Sequence, residues 1–258
     1  MSQESKRIFV IGDTFAGTAS QVENIMTETD ALDFVQSEKR PDTKIVFLVQ
    51  QGVDYRSLAS AIQTRNAEQN ADLFTLEASH CGARATRRLA HKARSENILI
   101  STPRVLDEKH YEMDLCFSSQ NEFFLDHMTG MHIQGMALIE AARQAFLAVT
   151  EAHFLRESGK DYYFVIKSMD TSFQNFVFPF DATLKYDVTD VRRKDTRLGV
   201  EAVITIMQGG EVCTTIKVAF TAFEAEKIAA RERELAEVCL ASLSKSYAKN
   251  STPLEYVA

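Results

Sequence analysis

The chain has 258 residues, enough for one large domain or two small ones. It is 45% hydrophobic and 25% charged, as ordinary globular domains are, and its net charge of −7 argues against nucleic acid as the main partner. Cys81, Cys116, Cys213 and Cys239 are widely spaced, without a CxxC or a Cys/His metal spacing, so a reduced, cytoplasmic protein with no metal and no bound cofactor is expected. The apolar run Ile8 to Ile11 is too short for a signal-peptide core. No apolar stretch approaches the roughly 18 residues that span a bilayer.

In chain order, residues 7–13 read as a buried strand ending in a Gly-Asp turn. Residues 28–38 follow helical spacing, and Lys44 to Gln50 is a second apolar strand. Asp54 is the expected N-cap of a helix from Tyr55 to Asn70, and Ala71 to Leu76 is a third strand. Together they predict a small parallel, Rossmann-like α/β domain over residues 1–80. Gly12 to Gly17 matches neither GxGxxG nor a P-loop, which leaves a plain turn or a ligand site after the first strand. Asp13 lacks the acidic cluster, Thr and Lys of a phospho-acceptor site, so that reading is set aside.

Residues 81–96 are expected to be a basic linker. Arg84, Arg87, Arg88, Lys92 and Arg94, with His80 and His91, crowd this stretch of an otherwise acidic protein. From residue 97 the chain turns β-rich. A strand from Asn97 to Pro103 and a returning strand from Tyr111 to Phe117 are expected, then a helix from about Ile133 to His153. Strands follow at 162–172, 182–191, 198–208 and 212–223, the last two joined by a Gly209-Gly210 hairpin. Residues 183–188 and 200–207 alternate, so those strands have one wet face. The chain closes with a C-terminal helix and tail, 225–258.

The 133–153 helix is too apolar for a surface. Met136, Ile139, Ala142, Ala145, Phe146 and Val149 cover much of its circumference. The economical arrangement over residues 97–224 is an α+β hotdog domain, a central helix wrapped by an antiparallel sheet. Glu140, Arg143 and Gln144 in such a helix must be satisfied somewhere, as a structural network or an active site.

Residues of roughly 88–224 resemble the A-factor biosynthesis (AfsA-type) hotdog family. The resemblance is carried by His91-Lys92, the segment Asn97-Ile98-Leu99-Ile100-Ser101, Asp126-His127, and Gly135-Met136-Ala137-Leu138-Ile139-Glu140-Ala141-Ala142-Arg143-Gln144. More distantly, a His before a Gly-rich loop and a Gly-x-x-x-x-Glu-Ala spacing are similar to β-hydroxyacyl-ACP dehydratases, whose loop prolines are absent here. The AfsA resemblance implies transfer of a β-ketoacyl group from acyl carrier protein or CoA to a hydroxyl of a dihydroxyacetone-phosphate-like acceptor, toward a signalling molecule or secondary metabolite. Many members of that family carry the hotdog pattern twice. This chain shows it once, so a homodimer is expected to supply the second half.

Acyl transfer to a hydroxyl needs a base and donors for the oxyanion. Glu140, Arg143 and Gln144 stand at i, i+3 and i+4 on one helical stripe, with His132 and Met136 near it. Glu140 is the candidate base or orienting carboxylate, and His127 is the second acid/base candidate. Asp126, Gly130, His132, Gly135, Met136, Arg143 and Gln144 are candidate substrate contacts, the glycines because they let backbone approach a ligand. Arg84, Arg87, Arg88 and Lys92 could meet pantetheine or CoA phosphates or an acidic carrier protein, or form a solvated face. Two alternatives to acyl transfer stay open: a hotdog dehydratase or thioesterase on acyl-ACP or acyl-CoA, and a non-catalytic acyl-ligand module.

Overall fold

The structure, a computed structural model, describes residues 5–37, 40–78, 81–126, 130–156 and 159–250. His80, His127 and the tail beyond residue 250 lie outside the described residues.

The N-terminal unit is a parallel sheet of β1 (Lys6–Ile11), β2 (Ile25–Thr27), β3 (Ile45–Val49) and β4 (Phe74–Ala78), in the order β2-β1-β3-β4. Helices α1 (Ala16–Gln21), α2 (Glu28–Gln36) and α3 (Tyr55–Glu68) connect the strands. A Thr27/Asp30 capping box starts α2, and the Asp54 side chain accepts from Arg56 N–H to start α3 as expected. Phe47 and Phe74 stack with centroids 6.0 Å apart in this unit's core. Four strands form where three were expected. The three-residue β2 is too short to show a period of its own, and β4 begins later than the composition suggested.

The plain-turn reading of the first βα junction fits the geometry. Asp13 accepts from the Thr29 N–H and hydroxyl at 2.9 and 2.8 Å, which ties it to the first turn of α2. Gly12 faces the Gly52 backbone so closely that a Cβ there would lie 2.7 Å from the Gly52 carbonyl oxygen.

The second unit is a six-stranded antiparallel sheet in the order β5-β6-β8-β9-β10-β7. Its strands are β5 (Arg104–Val105), β6 (His110–Asp114), β7 (Tyr162–Phe173), β8 (Thr183–Lys194), β9 (Arg197–Gln208) and β10 (Glu211–Glu224). The short helices α4 (Arg87–Ala90) and α5 (Glu122–Leu125) precede the central helix α6 (Gly135–Val149), and α7 (Ala225–Asn250) ends the described chain. A π-helical turn, Thr150–Phe154, closes α6. The alternation in β8 and β9 is real: Leu184, Tyr186, Val200, Ala202, Ile204 and Ile206 point inward and are buried. Ala137, Ala141, Ala142, Ala145 and Ala148 let the sheet approach α6, and Phe146 stacks on Phe220 at 4.4 Å. This is a hotdog fold behind a small α/β unit. Gly209 and Gly210 both adopt positive φ, 60° and 88°, which the tight β9–β10 hairpin requires.

Three expectations change. Residues 81–96 are folded rather than a loose linker, with Ala85 and Ala90 buried in the hotdog core. Residues 97–103 form no ladder strand. Ser95–Asn97 is a 3₁₀ turn, and the segment beyond it makes only isolated bridges, Arg84 to Ser101 and Ile100 to Leu115. The cause is visible at Leu99, whose N–H goes to the Gln144 side chain instead of a neighbouring strand. Met136, expected in the core, is 59% exposed, while Ala137 and Leu138 beside it are buried.

The two units share a core, since Ile11 and Phe15 pack in the hotdog cluster. Gln51, 5% exposed, spans the seam. Its Nε2 donates to Leu115 O at 2.9 Å and its Oε1 accepts from Phe117 N at 2.8 Å.

Candidate functional site

Helical geometry sets the first half of the site. Glu140, Arg143 and Gln144 fall on one side of α6, and the structure joins all three. Arg143 grips Glu140 with two bonds, Nε to Oε2 at 2.7 Å and Nη2 to Oε1 at 2.9 Å. Gln144 Nε2 donates to Glu140 Oε1 at 3.0 Å and to Asn97 O at 2.9 Å, while its Oε1 accepts from Leu99 N at 2.8 Å. Gln144 is fully buried. It therefore locks α6 to residues 97–99 as well as touching the carboxylate.

The second half comes from a residue given a different role above. Lys92 sits just past α4, where His91 takes a left-handed conformation (φ 49°) and turns the chain back. Its Nζ lies 2.7 Å from Glu140 Oε1. A motif signal existed, because His91-Lys92 is among the segments that carry the family resemblance. Spacing alone did not point Lys92 at Glu140.

Burial raises the Glu140 pKa, but Arg143, Lys92 and Gln144 outweigh it and hold the carboxyl below its ordinary value. Glu140 is thus an ionised acceptor at neutral pH. With two cations around one anion, the cluster carries a net charge of +1. The side chains of Glu140, Lys92 and Arg143 are 13%, 22% and 29% exposed, so the cluster is shielded but not sealed.

The helix N-terminus lies five residues before Glu140. Gln134 caps α6 without a side-chain bond to the first turn, and its Nε2 donates instead to Phe123 O. That end carries a partial positive charge of its own. Gly130 has φ 57°, and a Cβ on it would stand 3.1 Å from Thr14 O. Thr18 of α1 donates to the Met131 carbonyl, and its N–H to Gly130 O at 3.3 Å. The α/β unit thus props the loop that feeds the helix. Gly135 faces Phe173, whose ring would come within 2.9 Å of an added Cβ.

The remaining candidates scatter. His132 packs on Phe176 with centroids 4.5 Å apart, and Asp126 is exposed at the end of α5. Arg84 donates to Ser95 O and to Phe117 O after β6, and Arg87 to Ala93 O, so both guanidiniums are held by backbone carbonyls. Arg88 lines a different surface cavity, about 450 Å³, with His91, Arg156, Lys160 and Tyr162. His91 pairs there with Glu151 at 2.5 Å. Among the aromatic side chains of the hotdog unit, Phe124 packs on Phe117, Phe180 on Phe9 of the α/β unit, and Phe173 and Phe176 are 54% and 65% exposed. Among the described residues no group of three His, Cys, Asp or Glu is placed to hold a metal ion. No described helix is long and apolar enough to cross a membrane.

The family model for the A-factor biosynthesis hotdog domain matches residues 76–224. No curated protein matches the chain. Among solved structures, the chain is similar to the dehydratase heterocomplex ApeI:P from Xenorhabdus doucetiae, at 16% identity over 54% of this chain and 88% of that one, with a TM-score of 0.40. It is similar to the conserved protein PA5202 from Pseudomonas aeruginosa at 18% identity, over 54% of this chain and 100% of that one, TM-score 0.39. A mutant of the thioesterase PA1618 from the same organism shares 12% identity over 48% of this chain and 81% of that one, TM-score 0.36.

Proposed function

This chain belongs to the A-factor biosynthesis hotdog family, and we propose on that footing that it acts on acyl thioesters, transferring a β-ketoacyl group from acyl carrier protein or CoA to a hydroxyl acceptor. The observation that carries the reading is the Lys92–Glu140–Arg143 cluster, its carboxylate five residues into α6. Its excess positive charge and the helix end suit the oxyanion that forms when a hydroxyl attacks a thioester carbonyl. Glu140, held ionised, is too weak a base to drive the step alone. Its role in this reading is to orient Lys92, Arg143 and the acceptor hydroxyl. His127 stays the proposed proton acceptor. The product would enter synthesis of a signalling molecule or another secondary metabolite.

A homodimer completes the reading. The outer edge of β7 has no partner strand among the described residues, although α7 packs on part of the strand. Tyr163, Ile166 and Phe173 on β7, with Met136 and Phe176, are exposed apolar side chains that make up a strip. A second copy pairing along β7 would cover the strip and wall the site.

The test is thiol release from β-ketoacyl thioesters, with and without dihydroxyacetone phosphate. Release that depends on the acceptor is expected. Glu140→Gln should cut it at least 100-fold while the melting temperature stays within a few degrees. Release independent of acceptor would replace transfer by hydrolysis, and binding without turnover would replace it by a ligand module.

A further inference from the structure

Outside this site, two thiols meet at the seam between the α/β and hotdog units. Cys81 lies in the segment leading from β4 to α4, and Cys116 follows β6, 35 positions later. Their Sγ atoms are 2.8 Å apart, less than about 1 Å beyond a bonded S–S distance of roughly 2.05 Å. Both sulfurs belong to free thiols. Their surroundings are built rather than loose. Cys116 N donates to Leu99 O at 2.9 Å, and Gln51 clamps the residues on either side of Cys116. On the Cys81 side, Gly82 N donates to Asp114 Oδ2 at 2.7 Å and Thr102 N to Ala83 O at 2.8 Å.

We propose that Cys81 and Cys116 are a reversible dithiol–disulfide site, oxidised by low-molecular-weight disulfides, that staples the α4-bearing segment to the strand after β6. The two sulfurs are unequal in a way that orders the reaction. Cys116 is 3% exposed, whereas Cys81 is only partly covered, so a small oxidant reaches Cys81 first. The hydrogen bond from the Cys116 thiol lowers the Cys81 pKa, against burial and the Asp114 and Asp181 charges, with Arg84 acting in the lowering direction. The same contact, then burial, pushes Cys116 far up.

The Cys81 thiolate attacks one sulfur of the small disulfide. That S–S bond breaks, one small thiolate leaves, and a mixed disulfide forms on Cys81. The departing thiolate is protonated from solvent, and with Cys81 capped the contact that held the Cys116 proton is gone, so Cys116 loses that proton to solvent. Its sulfur then attacks the Cys81 sulfur and expels the second small thiolate, which is protonated from solvent. Two protein thiols are oxidised by two electrons, and one small disulfide becomes two thiols. The linked segment leads eleven residues on to Lys92, so the staple would brace the arm that carries this lysine to Glu140.

The full-length protein is equilibrated in glutathione buffers of rising oxidised fraction, acid-quenched, alkylated and mapped by peptide mass. Cys81 and Cys116 should lose alkylation in one step, appear as a single cross-linked peptide pair, and recover with dithiothreitol. Cys213, buried apart from them, should stay alkylated. The oxidised form should melt higher by roughly 5–10 °C, as expected for a cross-link enclosing this length of chain, and Cys81→Ser should abolish the rise. The proposal is overturned if both thiols stay alkylated at the most oxidising ratio. Cys81 ending only as its glutathione mixed disulfide, or an unchanged melting temperature in the cross-linked form, overturns it equally. Modification of Cys116 in Cys81→Ser would refute the stated order of attack.

Discussion

Gln144→Ala separates the part of the polar cluster that holds the fold from the part that faces chemistry. The Gln144 amide is fully buried and makes three bonds. Two of them satisfy backbone groups, the Leu99 N–H and the Asn97 carbonyl. Truncation leaves Leu99 N–H, on a residue with no exposure, without its acceptor. An orphaned buried backbone group costs about 1–3 kcal/mol, and two cost about 2–5 kcal/mol after partial relaxation. Lost packing of the side-chain methylenes adds on the order of 1 kcal/mol. A total near 4 kcal/mol is a large fraction of a typical folding stability, and corresponds to a melting temperature lower by roughly 8–15 °C. Glu140→Gln contrasts with it, because the amide still accepts one bond and Lys92 and Arg143, 22% and 29% exposed, can turn to water. That change should cost about 1–2 kcal/mol. Thermal and urea unfolding followed by circular dichroism measure both. A Gln144→Ala protein melting within 2 °C of the parent, or a Glu140→Gln protein less stable than Gln144→Ala, would refute this division of roles.

Stability should be level above about pH 5 and fall steeply below about pH 4. Glu140 and Asp114 are both held under their ordinary values in the folded state, Glu140 by Arg143, Lys92 and Gln144, and Asp114 by Arg104, Gly82 N–H and Ser101, in each case against burial. Groups depressed in this way stabilise above the unfolded carboxylate range of about 4 and lose that contribution as pH drops through the folded values, so Asp114→Asn should flatten the acid limb of a urea-midpoint titration. Gly12→Ala forces a Cβ against the Gly52 backbone and should cost about 1–3 kcal/mol by chemical denaturation, whereas Gly159→Ala, with nothing near its Cβ, should cost only what its φ of 63° imposes. If copies pair along β7, Ile166→Asp should yield monomer in sedimentation equilibrium with the monomer fold intact by circular dichroism. A dimer that persists would remove that edge as the interface.

The residues of α6 determined much by themselves. A stripe broad enough to demand wrapping, and Glu140, Arg143 and Gln144 at one-turn spacing, made both the hotdog core and the carboxylate cluster readable, because a helix fixes its own neighbours. The β8, β9 and β10 strands were equally plain, since a two-residue period and a Gly-Gly turn are local facts. Residues 97–103 misled because their apolar run makes no continuous ladder: the Leu99 N–H and Asn97 carbonyl go to Gln144, a side chain far along the chain, and the other bonds are scattered. Lys92 reaching Glu140, Gln51 clamping the two units, and Cys81 meeting Cys116 were decided by the tertiary structure alone. In each of these contacts at least one partner lies on a segment whose own sequence carries no periodic signal. Only the closure of the sheet around α6 and the docking of the α/β unit bring such residues within reach of one another.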